Sequence, residues 1–224
     1  MTTGSFTEET DPFCLATVDA AAMLFDAPWR RYGVIGDSLS AGTGDESTGY
    51  GNKGWPDRFA HVLRQVRPDL AYLNTATVGA TTLDTLDHQM GGMRDFAPDL
   101  LHLPCGANDL LRRSPDFGRI ESDLRRMYDL AAGTGAQLTV FTLGRAYVVP
   151  VFTDWTERVL TLNDLTRALA GEYDAVVVDM WDHPVNSRPD LLSADRIHFS
   201  TAGQAVLASE MVRALAAALA HATP

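Results

Sequence analysis

The sequence predicts an α/β fold in which a parallel β-sheet carries helices on both of its faces. Short apolar segments alternate with segments of helical periodicity along the whole chain, which is the pattern of strand–helix–strand units. The run at 100–105 is apolar almost without interruption, as expected of a central strand that is covered on both faces. No internal repeat, linker or low-complexity segment divides the chain, so a single domain is expected.

Five strands are predicted where short apolar runs end at glycine, asparagine or other turn residues. Their expected positions are 32–35, 70–73, 100–105, 137–143 and 175–180. Helices are expected between the strands because apolar residues there recur at helical spacing. Four of them are expected at 18–25, 55–66, 120–132 and 155–173. A further helix is expected to begin at a cap formed by Thr81 or Thr82 and to run through Met90. The last helix is expected to begin at 201–204, where the sequence has a capping-box pattern.

The length and composition are those of a globular domain with a substantial core. The chain has 224 residues, of which 46% are hydrophobic and 21% are charged, and neither value favours disorder. We predict that residues 1–17 form an N-terminal tail, frayed over 1–12, and that residues 18–224 form the domain.

The net charge of −11 argues against some classes of partner. An acidic surface repels phosphate backbones and anionic headgroups, so neither nucleic acid nor a membrane is expected as a partner. The alanine-rich C-terminal stretch carries Glu210, Arg213 and His221, and we interpret it as an amphipathic helix that does not span a membrane. The polar and acidic residues 1–10 do not look like a signal peptide, which predicts a cytoplasmic location.

The two cysteines, Cys14 and Cys105, do not suggest a framework of disulfides. Two cysteines alone form neither such a framework nor a zinc site, and Cys105 lies in an apolar run where a buried thiol is expected. No spacing of His, Cys and carboxylate residues indicates a metal site, so we predict no metal and no cofactor. The oligomeric state is left open.

The stretch 33–40 is the centre of the functional prediction. It reads as an apolar strand, then a tight turn at Gly36, and then Ser38. Open α/β sheets place their chemistry at the carboxyl ends of the strands. Ser and Asp are also ordinary turn residues, so Ser38 alone does not predict a nucleophile. Asp37 is interpreted as a residue that stabilises the turn.

Four further candidate residues follow other predicted strands. Gly79 follows the second strand and Asn108 follows the third. Asp195 and His198 both follow the fifth. Because parallel strands point their carboxyl ends the same way, these residues are expected to meet Ser38 at one edge of the sheet.

This set supplies the groups that acyl transfer needs. A serine hydroxyl requires a base, which His198 can provide, and Asp195 can hold the other nitrogen of that ring. The N–H groups of Ser38 and Gly79 and the side-chain amide of Asn108 can donate to an oxyanion, and each such donor lowers the barrier by roughly 3–4 kcal/mol. Gly79 suits this role because the lack of a side chain lets its N–H approach closely.

Other residues near this edge have alternative interpretations. His183 is the rival of His198, but no aspartate lies three residues before it. His102 lies inside a strand and is interpreted as a core histidine with a hydrogen-bond partner. Arg145 could bind an anionic group of a substrate, although pairing with an acid is favoured.

Two loops next to the predicted edge are also open to interpretation. The glycine-rich stretch 42–54 contains Asp45 and Glu46 where a phosphate would sit, so a nucleotide site is not predicted. A flexible surface loop, and a lid or substrate wall beside the nucleophile, are both open there. The loop after the fourth strand could line an acyl pocket or pack in the core, through Tyr147, Val148, Val149, Val151, Phe152 and Trp155.

Four segments together resemble the SGNH hydrolases, also called the GDSL esterase/lipase family. They are Gly36-Asp37-Ser38-Leu39, the block that ends at Gly79, Gly106-Ala107-Asn108-Asp109 and Asp195-Arg196-Ile197-His198. Each segment is weak alone, but they occur together and in order, and the resemblance covers about 31–215. The second block lacks the additional glycine that many members carry where Ala76 or Thr77 stands.

The resemblance implies both a fold and a set of roles. The fold is a three-layer α/β/α sandwich with a flavodoxin-like, five-stranded parallel sheet. The roles are a Ser38 nucleophile, an Asp195–His198 pair, and an oxyanion hole formed by Ser38, Gly79 and Asn108. No cofactor is implied.

We therefore predict a serine-dependent carboxylic ester hydrolase that acts on a small-molecule ester. Ser38 would form an acyl-enzyme, with His198 as the base. The alternative is a cytoplasmic acyltransferase that passes the acyl group from Ser38 to an alcohol, sugar or natural-product hydroxyl. A non-catalytic binding domain on the same fold is disfavoured, because such a domain has no reason to keep the whole set. The acyl chain and the alcohol are left open.

Overall fold

A five-stranded parallel sheet forms the middle layer of the fold. A computed structural model of the chain describes residues 6–222. The strands are β1 (Arg31–Val34), β2 (Ala71–Asn74), β3 (Leu100–Leu103), β4 (Gln137–Phe141) and β5 (Val176–Val178). Their order in the sheet is β2-β1-β3-β4-β5, and all four pairings are parallel. The strands occur where they are predicted, with small shifts at their ends.

Helices cover both faces of this sheet. The first face carries α1 (Thr17–Met23), α3 (Trp55–Val66) and α8 (Thr201–Ala222), and the short α2 (Ser38–Ala41) comes after β1 and the turn at 35–37. The second face carries α4 (Thr82–His88), α5 (Met90–Phe96), α6 (Phe117–Ala132) and α7 (Trp155–Glu172). Short 3₁₀ turns lie at Ala107–Leu111 and Pro184–Ser187. The predicted three-layer α/β/α sandwich is confirmed.

The strand side chains alternate between two hydrophobic cores. In β3, Leu100 packs into the core of the first face, whereas Leu101 and Leu103 pack into the core of the second. Every residue of β3 is buried, because this strand has neighbours on both sides and helices above and below. The apolar run at 100–105 therefore has the central position that the sequence predicts.

The helix predicted to run through Met90 is divided into α4 and α5. Thr81 caps α4 with a capping box, in which its hydroxyl accepts from the N–H of Asp84 and the Asp84 side chain accepts from the N–H of Thr81. Gln89 lies at the junction and sends its side chain toward β1. Two glycines at 91 and 92 follow, and glycine is a weak helix former.

The last helix, α8, is a core helix. Its apolar stretch is long enough by length and composition to cross a membrane, but 61% of that stretch is buried inside the domain. It packs against α3 and β5, where Val206, Met211 and Leu215 are almost completely buried. Such a burial is typical of the core helix of a compact domain.

The N-terminal segment differs from the frayed tail that the composition suggests. Residues 1–5 lie outside the described residues, but 6–16 lie against the domain. Asp11 is only 4% exposed, and its carboxylate accepts from the hydroxyl of Tyr50 at 2.7 Å and binds Arg188. Glu8 forms an ion pair with Arg58. These ion pairs and hydrogen bonds join residues that are distant in the sequence, so local composition carried no signal for them. The domain boundary at 17/18 stays a prediction.

Candidate active site

Ser38 is the first residue of α2, separated from the end of β1 by residues 35–37, and is 7% exposed. The Asp37 carboxylate caps this helix by accepting from the N–H of Leu39 at 2.9 Å. Burial raises the pKa of Asp37 to about 6, against the opposing effect of the backbone N–H groups of Leu39 and Ser40. Asp37 thus stabilises the turn, as predicted from the sequence.

Gln89 holds both backbone polar groups of Gly36, which precedes Asp37 and Ser38. Its side-chain oxygen accepts from the N–H of Gly36 at 2.8 Å, and its side-chain nitrogen donates to the carbonyl of Gly36 at 2.9 Å. Gln89 is 4% exposed, so both hydrogen bonds are shielded from water. Nothing in the local sequence marks Gln89 for this role, because 53 residues separate it from Gly36.

Asp195 and His198 form a hydrogen-bonded pair in the loop before α8. The Asp195 Oδ2 and His198 Nδ1 atoms are 2.6 Å apart. Asp195 Oδ1 accepts from the N–H groups of Ile197 at 2.9 Å and His198 at 3.0 Å. Burial raises the pKa of Asp195, but the hydrogen bonds from His198 and from these N–H groups outweigh it and lower the pKa to about 2. The carboxylate is therefore ionised and oriented toward the ring.

The loop that carries this pair contains one residue in an unfavourable backbone conformation. Arg196 lies between Asp195 and His198 and has a φ of 58°, in the left-handed region that side chains other than glycine rarely adopt. This turn brings the two side chains to the same side of the loop. Such a conformation persists only where surrounding contacts hold it.

The structure does not join the hydroxyl of Ser38 to the ring of His198. Within residues 6–222, the Ser38 hydroxyl has no hydrogen-bond partner. A cavity adjoins both segments: Asp37 and Leu39, on either side of Ser38, and Ile197 and Phe199, on either side of His198, line it, whereas Ser38 and His198 themselves do not. Catalytic hydrogen bonds are often long in the absence of substrate and shorten when substrate binds.

The residues that carry the three predicted oxyanion donors follow three different strands, β1, β2 and β3. Among the described residues, the N–H groups of Ser38 and Gly79 have no acceptor. The Asn108 side-chain nitrogen donates one hydrogen bond, to the carbonyl of Ala80 at 2.9 Å, and its second hydrogen is left available. Gly79 has a φ of 82° and no atom within 4 Å of the place a Cβ would take. Its backbone conformation, more than crowding by protein atoms, therefore requires glycine here.

Asp109 connects the loops that carry Gly79 and Asn108. Its carboxylate accepts from the N–H of Thr82 at 2.9 Å and from the hydroxyl of Thr82 at 3.1 Å. Asp109 is 7% exposed, and burial raises its pKa. The structural role expected for Asp109 is thus present in the form of a link between two loops.

The cavity that adjoins the Ser38 turn and the His198 loop is small and largely apolar. Its volume is about 30 Å³, and Leu39, Trp55, Phe141, Leu143 and Tyr147 form much of its wall. A volume of this size holds about two water molecules. Of the residues considered for an acyl pocket, only Tyr147 lines this cavity. Val148 and Val151 are exposed, and Trp155 is buried in the core.

His102 also lines this cavity but is a core histidine, as predicted. Its ring lies against those of Trp55 and Phe141, with centroids 4.7 and 5.3 Å away. Its Nδ1 atom is hydrogen-bonded to the hydroxyl of Thr139 at 3.1 Å. Burial lowers the pKa of His102 to about 3, so the ring is neutral.

The other alternative residues have structural partners. His183 accepts at Nδ1 from the N–H of Val185 at 3.2 Å, and its Nε2 lies 3.4 Å from Glu210. Arg145 pairs with Asp182 at 3.3 Å. Burial raises the pKa of the Cys105 thiol well above its ordinary value, so this thiol is unreactive. Within residues 6–222, no group of three or more His, Cys, Asp or Glu side chains could hold a metal ion.

The sandwich and the position of these loops define an α/β/α hydrolase fold. The chain belongs to the GDSL-like lipase/acylhydrolase family, whose model matches residues 34–206. The predicted resemblance to the SGNH/GDSL hydrolases is thereby confirmed.

Individual relatives are consistent with this assignment. An arylesterase of Vibrio mimicus is 30% identical over 131 residues, which are 58% of this chain and 60% of that protein. The chain thus matches less than two thirds of the relative's length. Among solved structures, LAE5, an α/β hydrolase from the metagenome of Lake Arreo, has a TM-score of 0.68 and 22% identity over 83% of this chain and 94% of LAE5. Axe2, an acetylxylan esterase from Geobacillus stearothermophilus, has a TM-score of 0.68 and 19% identity over 83% and 94%.

Proposed function

We propose that this protein hydrolyses carboxylic esters through an acyl-enzyme on Ser38. Ser38 attacks the ester carbonyl while His198 takes the proton of its hydroxyl and later gives it to the leaving alcohol. Water, activated by His198, then releases the acid and restores Ser38. Asp195 holds the ring of His198 and stabilises the imidazolium that forms in each half-reaction.

The Asp195–His198 pair is the observation that carries this proposal. The 2.6 Å hydrogen bond directs Nδ1 toward the carboxylate and leaves Nε2 for proton transfer. The open N–H groups of Ser38 and Gly79 and the spare hydrogen of Asn108 supply donors for the oxyanion. Membership of an acylhydrolase family and the likeness to an arylesterase support the same reaction. The cytoplasmic location stays a prediction.

The test measures turnover of p-nitrophenyl esters from acetate to octanoate by variants of the proposed residues. We expect Ser38→Ala and His198→Ala each to lower kcat by more than about 10⁴-fold, and Asp195→Ala to cost less. A fluorophosphonate should label wild-type Ser38, as read by peptide mass spectrometry, and should not label Ser38→Ala.

The exposed residues Ser114 and His61 provide matched controls. Ser114→Ala and His61→Ala should keep wild-type turnover, because neither residue lies at the site. A rate near that of wild type in Ser38→Ala or His198→Ala, in a variant that melts at the wild-type temperature, would overturn the proposal.

A further inference from the structure

The glycine-rich loop after Ser38 is bound to the loop that carries Asp195 and His198. The N–H of Asp45 donates to the hydroxyl of Ser193 at 2.7 Å. The Asp45 carboxylate accepts from the N–H of Ala194 at 2.8 Å, and the Asp45 carbonyl accepts from the N–H of Thr201 at 2.8 Å. Asp45 therefore binds the His198 loop just before Asp195 and again just after Phe199 and Ser200.

Gly44 brings the two loops into backbone contact. A Cβ on Gly44 would lie 1.7 Å from the carbonyl oxygen of Phe199, the residue that follows His198. No side chain fits in that space, so any larger residue must push the His198 loop away. The contact continues beyond Asp45, where the N–H of Ser47 donates to the hydroxyl of Thr201 at 2.7 Å.

The loop that receives these hydrogen bonds contains a residue with a strained backbone, Arg196, and is closed by a hydrogen bond between its two ends. The N–H of Ser193 donates to the carbonyl of His198 at 2.7 Å, so Ser193 and His198 form the base of the turn that contains Asp195. Arg196 holds its left-handed conformation within that turn. Asp45 supports the start of this turn from outside, through Ser193 and Ala194.

We infer that Asp45 and Gly44 are positioning residues that set the distance between Ser38 and His198. Asp45 lies in the segment that leaves Ser38 and α2, so its hydrogen bonds couple the nucleophile's segment to the loop of the base. The stretch 42–47 thus links the segment that carries Ser38 to the loop that carries Asp195 and His198, and it is neither a free surface loop nor a lid. This inference rests on the proposed function, because it assigns the effect to catalysis by Ser38 and His198.

Asp45→Ala and Asp45→Asn separate a hydrogen-bond role from a charge role. Asparagine retains an oxygen that can accept from Ala194, whereas alanine does not. A displacement of about 1 Å at a catalytic group can cost about a hundredfold in rate. We expect Asp45→Ala to lower kcat by about ten- to a hundredfold with KM changed by less than about twofold, and Asp45→Asn to keep kcat within about threefold of wild type.

Gly44→Ala tests the backbone contact, and Gly51→Ala is its matched control. A Cβ on Gly51 would lie at ordinary contact distance, 3.7 Å from the Glu8 side chain. We expect Gly44→Ala to lower kcat by at least about tenfold and Gly51→Ala to leave it unchanged. Glu46→Ala controls for the loss of a neighbouring acid, since Glu46 is exposed and binds only the amide of Asn52 among the described side chains.

The kcat and KM of each variant are measured with a p-nitrophenyl ester, at a temperature well below the melting temperature of that variant. Ser38→Ala is measured in the same experiment. Wild-type kcat in both Asp45→Ala and Gly44→Ala would overturn the inference, as would an equal loss in Asp45→Ala and Asp45→Asn. If Ser38→Ala retains turnover, the proposed function fails instead, and the two failures are thereby distinguished.

Discussion

The carboxyl groups of Asp37 and Asp195 lie in neighbouring parts of the candidate site, and their pKa values are shifted in opposite directions. Asp37 is 3% exposed, and burial raises its pKa to about 6. The pKa of Asp195 is lowered to about 2, because hydrogen bonds from His198 and two N–H groups outweigh the effect of burial. Near neutral pH, Asp195 is therefore a fixed anion beside His198, whereas Asp37 is close to its titration range.

The raised pKa of Asp37 predicts a pH-dependent stability that Asp37→Asn removes. A group whose pKa is higher in the folded state stabilises the fold fully below its unfolded pKa and loses that contribution as the pH rises through the folded pKa. The values are 3.8 and about 6, so the loss in the wild type is up to about 3 kcal/mol. Asparagine keeps an oxygen for the N–H of Leu39 and does not ionise.

Urea unfolding of wild type and Asp37→Asn at pH 4 and pH 8 measures this effect. The free energy of unfolding of the variant, relative to wild type, should increase between the two pH values by up to about 3 kcal/mol. A difference that does not change with pH would show that Asp37 is no more difficult to ionise in the folded than in the unfolded protein.

At this scale the sequence predicted residue types and spacings well, and their distant partners poorly. The spacing of Asp195 and His198 anticipated a hydrogen bond that the structure has at 2.6 Å. Gln89 and Asp45 were not given their structural roles. Gln89 acts across 53 residues and Asp45 across 149, and two of the three hydrogen bonds of Asp45 use its backbone, which every residue type possesses.

At the scale of elements, the candidate site depends on hydrogen bonds, here called joints, between segments that follow different strands. Asp109, after β3, accepts from both the N–H and the hydroxyl of Thr82, after β2. Asn108 donates to the carbonyl of Ala80 in the same region. Two of the proposed oxyanion donors, Gly79 and Asn108, thus lie on segments that the side chains of Asp109 and Asn108 link to each other.

Asp109→Ala is expected to weaken both stability and catalysis. The substitution leaves the N–H and hydroxyl of Thr82 buried without their acceptor, which costs about 1–3 kcal/mol in the free energy of unfolding. The joint that positions Asn108 is lost as well, so kcat should fall by about tenfold with little change in KM. Urea unfolding and p-nitrophenyl ester kinetics measure the two effects.

The matched control is Asp87→Ala, which removes an exposed acid from α4, the helix that contains Thr82. Both parameters should stay near wild type there. An Asp109→Ala protein that is destabilised but turns over ester at the wild-type kcat would show that the joint supports the fold alone.

The start of α8 shows why a local pattern can be assigned to the wrong partners. The sequence 201–204 fits a capping box, yet Ser200 is the residue whose hydroxyl accepts from an N–H at the helix start, that of Gly203 at 3.3 Å. The hydroxyl of Thr201 accepts from Ser47, and the Gln204 side chain accepts from the N–H of Trp55 and donates to the carbonyl of Thr43. The two polar side chains join α8 to the loop after Ser38 instead of capping their own helix.

At the scale of the whole molecule, the order of strands and helices was predictable because it follows from hydrophobic periodicity. The apolar run at 100–105 identified the central strand β3, and the resemblance of four segments implied the three-layer architecture. Packing of the N-terminal segment was not predictable in the same way. Residues 6–16 carry no apolar periodicity, and they are held by individual polar contacts with residues far along the chain.

Asp11 is the residue through which this segment joins two loops of the site region. Its carboxylate accepts from the hydroxyl of Tyr50, in the loop after Ser38, and binds Arg188, in the segment before the His198 loop. The side chain of Asp11 is completely buried and that of Arg188 is 11% exposed. Removing one member of such a pair leaves the other charge poorly compensated, although Arg188 keeps its contact with Asp190.

Asp11→Ala should therefore lower the free energy of unfolding by about 3 kcal/mol, as measured by urea unfolding at neutral pH. Glu9→Ala removes an exposed acid two residues earlier and should change the stability by less than about 0.5 kcal/mol. If the two variants unfold at the same urea concentration, the segment only rests on the surface and the domain does not depend on it. A large loss of stability in Asp11→Ala alone would show that residues 6–16 are part of the folded domain. The loop after Ser38 would then be held at two places, by Asp11 through Tyr50 and by Asp45 near the site.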